Sequence, residues 1–357
     1  MTALEQRSKP SRLWMLGSPL LALLLTIASI SAIFGATDLP VIDSLWMLFI
    51  IPVQDLYGLS ELALKMTPTL LCALGLYFCF TAGVWNIGAE GQFILGAIVA
   101  AWVALNNPAN SSFGILLVLF GGILGGTFWA AIAAFLKNQF HASEVLTTIM
   151  LNYIALHLLM YMLTGPLQDP SGYNFPESAL LPDQSLIPHI SSIYAVNWMF
   201  PVAIILTATC WWAQRHTLFM FKLRLKGKNV KAAIFSGVDP KKSIWITLLL
   251  SGAFAGLAGA SELAGPVMQL TPQAAAGYGY LAIIVAFLGR LDPLGILIAS
   301  ALMALIQLGS QNLQLELSLP VSIALLFQAL TLFLLLSCDV LIRYRINWDG
   351  FMNIFVK

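Results

Sequence analysis

Phe113-Gly-Ile-Leu-Leu-Val-Leu-Phe-Gly-Gly-Ile-Leu-Gly-Gly-Thr-Phe-Trp-Ala-Ala-Ile-Ala-Ala-Phe-Leu136 runs for 24 residues without one charged side chain. A helix rises about 1.5 Å per residue, so roughly 20 apolar residues reach across the hydrocarbon core of a bilayer. Outward from this stretch, similar apolar runs follow one another along the 357 residues. Hydrophobic residues make up 59% of the chain and charged ones 9%, with a mean hydropathy of +0.86. Soluble domains carry about 25% charged residues, so this chain lacks the polar side chains to cover a soluble surface. A closed barrel, the other spanning architecture, needs short strands alternating with period two, and the sequence has no such pattern. The expected fold is therefore an all-α integral membrane protein with lipid around it. The net charge of +1 gives no basic surface, and no nucleic-acid partner is expected. Cys72, Cys79, Cys210 and Cys338 lie inside apolar runs without metal-ligand spacing and read as packing residues.

Ten spans are predicted: 13–34, 61–82, 88–106, 113–136, 145–164, 196–214, 244–264, 272–289, 294–313 and 319–342. The distribution of Lys and Arg tests this count. With a cytoplasmic N-terminus, Arg7, Lys9, Arg12, Lys137, the basic residues of loop 215–243, Arg290, Arg343, Arg345 and Lys357 all fall inside. The remaining basic residue, Lys65, lies near the outer end of span two, where its stem can snorkel. The outer segments carry Asp38, Asp43, Asp55, Asp169, Glu177, Asp183 and Glu316 and no Lys or Arg. Both termini are thus read as cytoplasmic. Residues 41–53 are apolar but short and interrupted by Pro52, which suits an interfacial or re-entrant piece. The first span exceeds the roughly 7–15 apolar residues of a signal peptide and reads as an uncleaved anchor.

Spans two to five (61–164) and seven to ten (244–342) form two four-helix blocks of opposite topology, as in inverted-repeat transporters. In each block the second helix has a polar, glycine-rich entry: Asn86-Ile-Gly-Ala-Glu-Gly-Gln92 and Gln273-Ala-Ala-Ala-Gly-Tyr-Gly-Tyr280. Interrupted helices at corresponding positions point to a solute path. Glu90 costs roughly 2.5–3.5 kcal/mol in a helix interior on insertion scales and so needs a reason. It either bonds Asn86, Gln92 or backbone donors to fix the break, which is the favoured reading, or meets solute. Asn152 in span five poses the same choice. Trp85, Tyr278 and Tyr280 suit stacking on a base or sugar, or anchoring at the interface. With no central Arg or Lys, the path favours neutral polar solutes over anions. Gly121, Gly122, Gly125, Gly126, Gly252, Gly256 and Gly259 have small-xxx-small spacing and are assigned to helix packing.

The cytoplasmic loop 215–243 contains the helix-compatible Asn229-Val-Lys-Ala-Ala-Ile-Phe235, stopped at Gly237-Val-Asp-Pro240. Such a helix offers a rigid knob to a soluble partner. The same loop reads Arg224-Leu-Lys-Gly227-Lys-Asn229, then Ala232-Ala233 and Gly237, and later Ser251-Gly-Ala-Phe-Ala-Gly-Leu-Ala-Gly259. Together with Asn86–Gln92, Glu144-Val-Leu-Thr-Thr-Ile-Met-Leu-Asn152 and Gly289-Arg290 followed by Pro293 and Gly295, it resembles the permeases of ATP-binding-cassette importers for branched-chain amino acids, ribose and nucleosides. The resemblance covers about residues 61–343 and is greatest to the nucleoside branch. Lys226 and Lys228 depart from it, since relatives more often carry an apolar and an acidic residue there.

The resemblance implies a single permease domain, residues 1–357, in the bacterial cytoplasmic (inner) membrane. Arg224, Gly227, Asn229, Ala232, Ala233 and Gly237 would belong to the segment that docks on an ATP-binding subunit. Loop 165–195 would receive an extracytoplasmic solute-binding protein, and a second permease, related or identical, would complete the path. Trp85, Asn86, Glu90, Gln92, Asn152, Tyr278 and Tyr280 are the candidate path residues. The chain has no G-x-x-x-x-G-K-S/T phosphate loop, so ATP and its Mg would be bound by the partner, and no cofactor or catalytic residue is assigned here. A nucleoside or nucleobase is the favoured solute, with a ribose-like sugar next. An ion-coupled carrier would call for more intramembrane acids or histidines than this chain has.

Overall fold

The computed structural model describes residues 4–6, 12–36, 39–106, 113–274, 277–318, 320 and 322–346. Helices form at all the predicted spans, with shifted ends. They are α1 (Arg12–Ala36), α3 (Leu56–Thr81), α4 (Ala89–Asn106), α5 (Gly114–Phe140), α6 (Glu144–Leu163) and α7 (Met199–His216). Beyond loop 215–243 come α10 (Pro240–Glu262), α11 (Tyr278–Leu288), α12 (Pro293–Leu317) and α13 (Ser322–Arg343). Among the described residues, six helices are long and apolar enough to cross a membrane: Leu56–Thr81, Ala89–Asn106, Gly114–Phe140, Glu144–Leu163, Pro240–Val267 and Pro293–Leu317. Span eight departs most from the sequence reading. α11 has 11 residues, about 16 Å, which is half of a hydrocarbon core. The chain before it is taken up by a 3₁₀ turn at Pro272–Ala274, and Gly277 sits at φ 83.

The segment after span one forms the short helix α2 (Val41–Phe49) and a 3₁₀ turn, Ile51–Val53, around Pro52. The helix is too short to cross a bilayer, as its length in sequence suggested. The fold is helical apart from β1 (Leu4–Gln6) and β2 (Tyr344–Ile346), which pair antiparallel. That pairing places the two ends of the described chain on the same side.

Where the sequence reading has a single domain, the chain divides into two compact units. One comprises residues 1–59 and 303–357. In it α1 packs along α13, with Phe34 edge-on to Phe327 at 5.5 Å between ring centroids, and Gly309 seats against the backbone of Leu48. The other comprises residues 60–302 and contains every candidate path and docking residue. The stretch 244–342, expected to form the second four-helix block, is therefore divided between the units.

The core of the larger unit is the three-way contact of α4, α5 and α10, of which α5 against α10 is the most extensive. It exists because glycines face one another. A Cβ on Gly96, Gly122, Gly126 or Gly256 would run into backbone or Cβ atoms of a facing helix. Small residues let helix backbones approach closely where lipid supplies no hydrophobic drive. The packing role assigned to Gly122, Gly126 and Gly256 from their spacing is what the geometry displays, and Gly96 joins them.

Gly256 is the centre of this contact. Gly256→Ala should destabilise the detergent-solubilised protein by about 1–3 kcal/mol, the range for overpacking a tight core, and Gly256→Leu should abolish the monodisperse species. Gly35→Ala, whose Cβ would meet only Val41 Cγ2 at 3.9 Å, should leave the thermal midpoint unchanged. Melting curves of the three variants check this, and equal midpoints for Gly256→Ala and the parent would refute it.

Candidate functional site

After α3 the chain does not pass straight into α4. Gly83 takes φ 66, and residues 84–87 run without helical structure before α4 begins at Ala89. Backbone groups freed at such a break need partners, because hydrocarbon supplies none. Asn86 supplies several: its Oδ1 accepts from Gly88 N at 2.9 Å, and its Nδ2 donates to Ser251 Oγ at 2.9 Å and Gln92 Oε1 at 3.3 Å. Asn152 reaches across from α6. Its Oδ1 accepts from Gly91 N at 2.9 Å, and its Nδ2 donates to Ile87 O at 2.9 Å and to the Tyr280 hydroxyl at 3.1 Å. Thr148, one turn earlier on the same helix, accepts from Ile87 N at 3.2 Å.

Glu90 lies in the first turn of α4 and is 4% exposed. Its two oxygens accept from Gly277 N at 2.9 Å and Gly279 N at 2.7 Å, the free N–H groups that open α11. One carboxyl group therefore serves the N-termini of two helices, where the helix dipole favours negative charge. Gly279 is required at this meeting point, since a Cβ there would strike the backbone of Ala89 and Glu90.

Trp85 stands apart from this centre. It is half exposed and stacks on Phe287 (centroids 5.9 Å apart, 26° between planes), which itself stacks on Phe80. The non-helical stretch thus runs beside α11, from its C-terminal end at Phe287 to its N-terminus at Glu90. Tyr278 is buried and donates to Glu262 Oε1 at 3.0 Å, away from Asn152, whereas Tyr280 is 44% exposed. Asn86, Glu90, Gln92, Asn152 and Tyr280 are brought together, and Trp85 and Tyr278 are directed elsewhere.

Loop 215–243 folds as α8 (Leu218–Lys228) and α9 (Val230–Phe235). Thr217 caps α8 by accepting from Met220 N, and Asn229 ends it while capping α9 through Ala232 N at 3.1 Å. Gly237, at φ 75, closes α9, and Asp239 starts α10 by accepting from Lys241 N. Ala233 is buried, whereas Val230, Ile234 and Phe235 are exposed, Phe235 to 97%. Gly227 lies on the backbone of Thr81 and Ala82 at the end of α3. The Arg224 guanidinium donates to Gln214 O at 2.6 Å, and Gln214 Nε2 donates to Asp292 Oδ1 in the α11–α12 turn at 3.1 Å. Lys226 is buried, which suits an apolar residue at this position. Burial pushes its ammonium pKa down, while Glu144, itself paired with Lys137, pulls it back up.

Loop 165–195 is more than a connection. It is strapped to the stretch after α10 by Ile187 N to Ala264 O at 2.8 Å, Leu181 N to Met268 O at 2.9 Å and Ser178 N to Leu270 O at 3.0 Å. Its Tyr173 and Phe175 are exposed.

Residues 58–336 match the family model described as the branched-chain amino acid transport system / permease component. The chain belongs to this family. The permease is 29% identical over 341 residues to the glucose ABC transporter permease protein TsgB13 of Haloferax volcanii, covering 93% of this chain and 90% of that one. It is 31% identical over 306 residues to the guanosine ABC transporter permease protein NupP of Bacillus subtilis, covering 85% and 87%. It is 28% identical over 283 residues to the nucleoside ABC transporter permease protein NupB of Lactococcus lactis, covering 74% and 76%. As an ABC permease of the nucleoside and simple-sugar kind, it is a multi-pass protein of the cytoplasmic membrane. Proteins of this family work with an ATP-binding subunit and a solute-binding protein.

Sequence reasoning missed Thr148 and Ser251 in the permease. Glu144, Thr148 and Asn152 are spaced by four, which puts them on one helix face, so Thr148 was within reach of a periodicity argument. Ser251 lies in a small-residue run, and nothing local separates it from a packing serine.

Glu90→Gln keeps one acceptor oxygen and leaves an N–H of Gly277 or Gly279 unpaired. It should cost about 1–3 kcal/mol of stability, the penalty for an unsatisfied buried donor. Gln92→Glu should not restore it, because Gln92 bonds Asn86 rather than α11. Chemical denaturation of the single and double variants checks both statements, and a Glu90→Gln protein as stable as the parent would refute the capping role.

Proposed function

We propose that this permease moves a neutral polar solute, a nucleoside or nucleobase, through ten spans arranged as two inverted four-helix blocks, driven by ATP hydrolysed in a partner subunit. The observation that carries the reading is the docking segment. Its exposed apolar end, Ile234 and Phe235, faces no other part of the described chain closely enough to bury it. Its base holds both broken elements: Gly227 rests on the end of α3, which leads into the Asn86–Glu90 break, and Arg224 connects through Gln214 to the turn after α11. A push on α9 would therefore reach both sides of the Glu90 centre, through a close backbone contact at Gly227 and through the hydrogen-bonded Arg224–Gln214–Asp292 link.

In this reading Arg224, Gly227, Asn229, Ala232, Ala233 and Gly237 shape the docking surface. Glu90, Asn86, Gln92 and Asn152 hold the two helix entries in register, and Tyr280, with its exposed ring, faces the path. The solute-binding protein docks on loop 165–195, and a second permease completes the path. Support for the inverted blocks comes from α4 and α11, corresponding second helices that both begin at interrupted entries. Support for a nucleoside comes from the neutral path and from relatives named for guanosine and nucleosides. A sugar is the second reading, favoured by the relative named for glucose.

Affinity purification from the native host should recover an ATP-binding subunit and a second permease. Phe235→Ser should lower recovery of the ATP-binding subunit roughly tenfold or more, as for an apolar anchor at the centre of an interface, without changing the melting point. Undiminished recovery would refute the docking assignment. ATP-dependent uptake of labelled guanosine and glucose into proteoliposomes carrying the whole complex then separates the two solutes.

A further inference from the structure

Down one face of α6 run Leu146, Met150, Tyr153, His157 and Tyr161, and all five are exposed. Steps of three and four keep residues on one side of a helix, and His157 lies along the middle of that side. α6 has 20 residues, about 30 Å, the thickness of a hydrocarbon core. Tyr153 stands at mid-length and His157 one turn further on, so both are exposed at membrane depth. Among the described residues, neither the His157 ring nor the Tyr153 and Tyr161 hydroxyls have a hydrogen-bond partner.

Lipid, a packed helix or a water-filled path could cover such a face, and the first two conflict with its residues. Lipid offers no partner to the ring nitrogens of a histidine, and ionisable residues within spans face a bundle interior or a water-filled cavity. The neighbouring α5 has the composition that suits lipid, since its exposed positions from 114 to 136 are all leucine or phenylalanine. A closely packed second helix calls for small residues, as where α5 meets α10. No exposed residue of α6 is Gly, Ala or Ser. A water-filled path satisfies the polar tips and leaves room for the large rings. The face is also continuous with the Glu90 centre. Tyr153 is near enough to Tyr280 to act on it electrostatically, and Asn152 holds the Tyr280 hydroxyl at 3.1 Å.

We propose that this face of α6 is a wall of the solute path, and that Tyr153 and His157 bind the transported solute as it passes. His157 brings a donor and an acceptor nitrogen, and Tyr153 a hydroxyl and a ring for stacking. The exposed face carries no Asp, Glu, Lys or Arg, so nothing on it selects a charged solute. The chemistry fits a neutral solute with a flat ring and hydrogen-bonding edges, a nucleobase or its nucleoside, and offers a sugar the hydrogen bonds alone. The assignment rests on the importer reading and adds two residues that read the solute.

The test uses the complete transporter in proteoliposomes and compares Ile154→Cys, on this face at mid-length, with Leu124→Cys on the exposed face of α5. The described native cysteines are buried. A water-soluble maleimide reacts with the thiolate, which apolar surroundings suppress. Ile154→Cys should label severalfold faster than Leu124→Cys, and guanosine should slow that labelling severalfold. Adding His157→Leu or Tyr153→Leu should raise the guanosine concentration for half protection by roughly 2- to 10-fold, the net worth of a hydrogen bond. Adding His157→Gln, which keeps a donor and an acceptor, should raise it less than His157→Leu does. Equal labelling at the two positions puts the α6 face in lipid or against a packed subunit and overturns the proposal. Labelling that neither guanosine nor glucose slows, while uptake continues, overturns the site and leaves the importer reading standing, as does protection indifferent to His157→Leu and Tyr153→Leu. Protection by glucose alone supports the site and makes its solute a sugar. Protection without ATP-driven uptake supports the site and overturns the importer reading.

Discussion

Glu90 and the start of α11 solve each other's problem. A carboxyl group inside an apolar protein lacks the water that would hydrogen-bond it, and a helix that begins inside the membrane exposes N–H groups with the same deficit. At 2.9 and 2.7 Å from Gly277 and Gly279, Glu90 satisfies donors that no residue near them in sequence supplies. Because it also stands in the first turn of α4, the same group holds two helix beginnings at one point. The half-length α11, the non-helical approach through Asn86 and the polar bridge from Asn152 all depend on that junction. Without it, each leaves unsatisfied backbone in a medium that penalises it.

The junction is mounted on a rigid block. Facing glycines bring α4, α5 and α10 into backbone contact, so α4 has little freedom to shift its N-terminus. The parts around the block are joined to it differently. The α8–α9 segment touches the end of α3 through a single glycine and the α11–α12 turn through a short chain of hydrogen bonds, and loop 165–195 is strapped to the irregular end of α10. A stiff centre with hydrogen-bonded attachments on both sides suits a permease whose family works with an ATP-binding subunit and a solute-binding protein. Close-packed helices move as bodies rather than deform.

The helical membrane fold was legible from 24 uncharged residues at 113–136 and their repeats along the chain, because hydrophobic length is a property of local sequence. The packing glycines were legible from their spacing for the same reason. The short helix α9 was legible from the helix-compatible stretch at 229–235 and its stop at Gly237, signals that act within a few residues of themselves. Glu90 was singled out because a lone carboxyl in an apolar run is expensive, and its backbone-bonding role was the favoured alternative. Its partners were not legible. Gly277 and Gly279 lie nearly two hundred residues away, and no local rule connects them to position 90.

What the sequence by itself determined is therefore everything governed by neighbours in the chain: the helical class, the places of the helices, the stop of α9 and the close-packing stripes. What only the tertiary structure decided is how polar groups in an apolar interior find one another. It shortened α11, turned Tyr278 toward Glu262, set Trp85 on Phe287 and joined Asn86 to Ser251. The physical reason is that burial of apolar surface is non-directional and sums along the chain, whereas a buried hydrogen bond depends on distance and angle, which exist only once distant segments have been packed together.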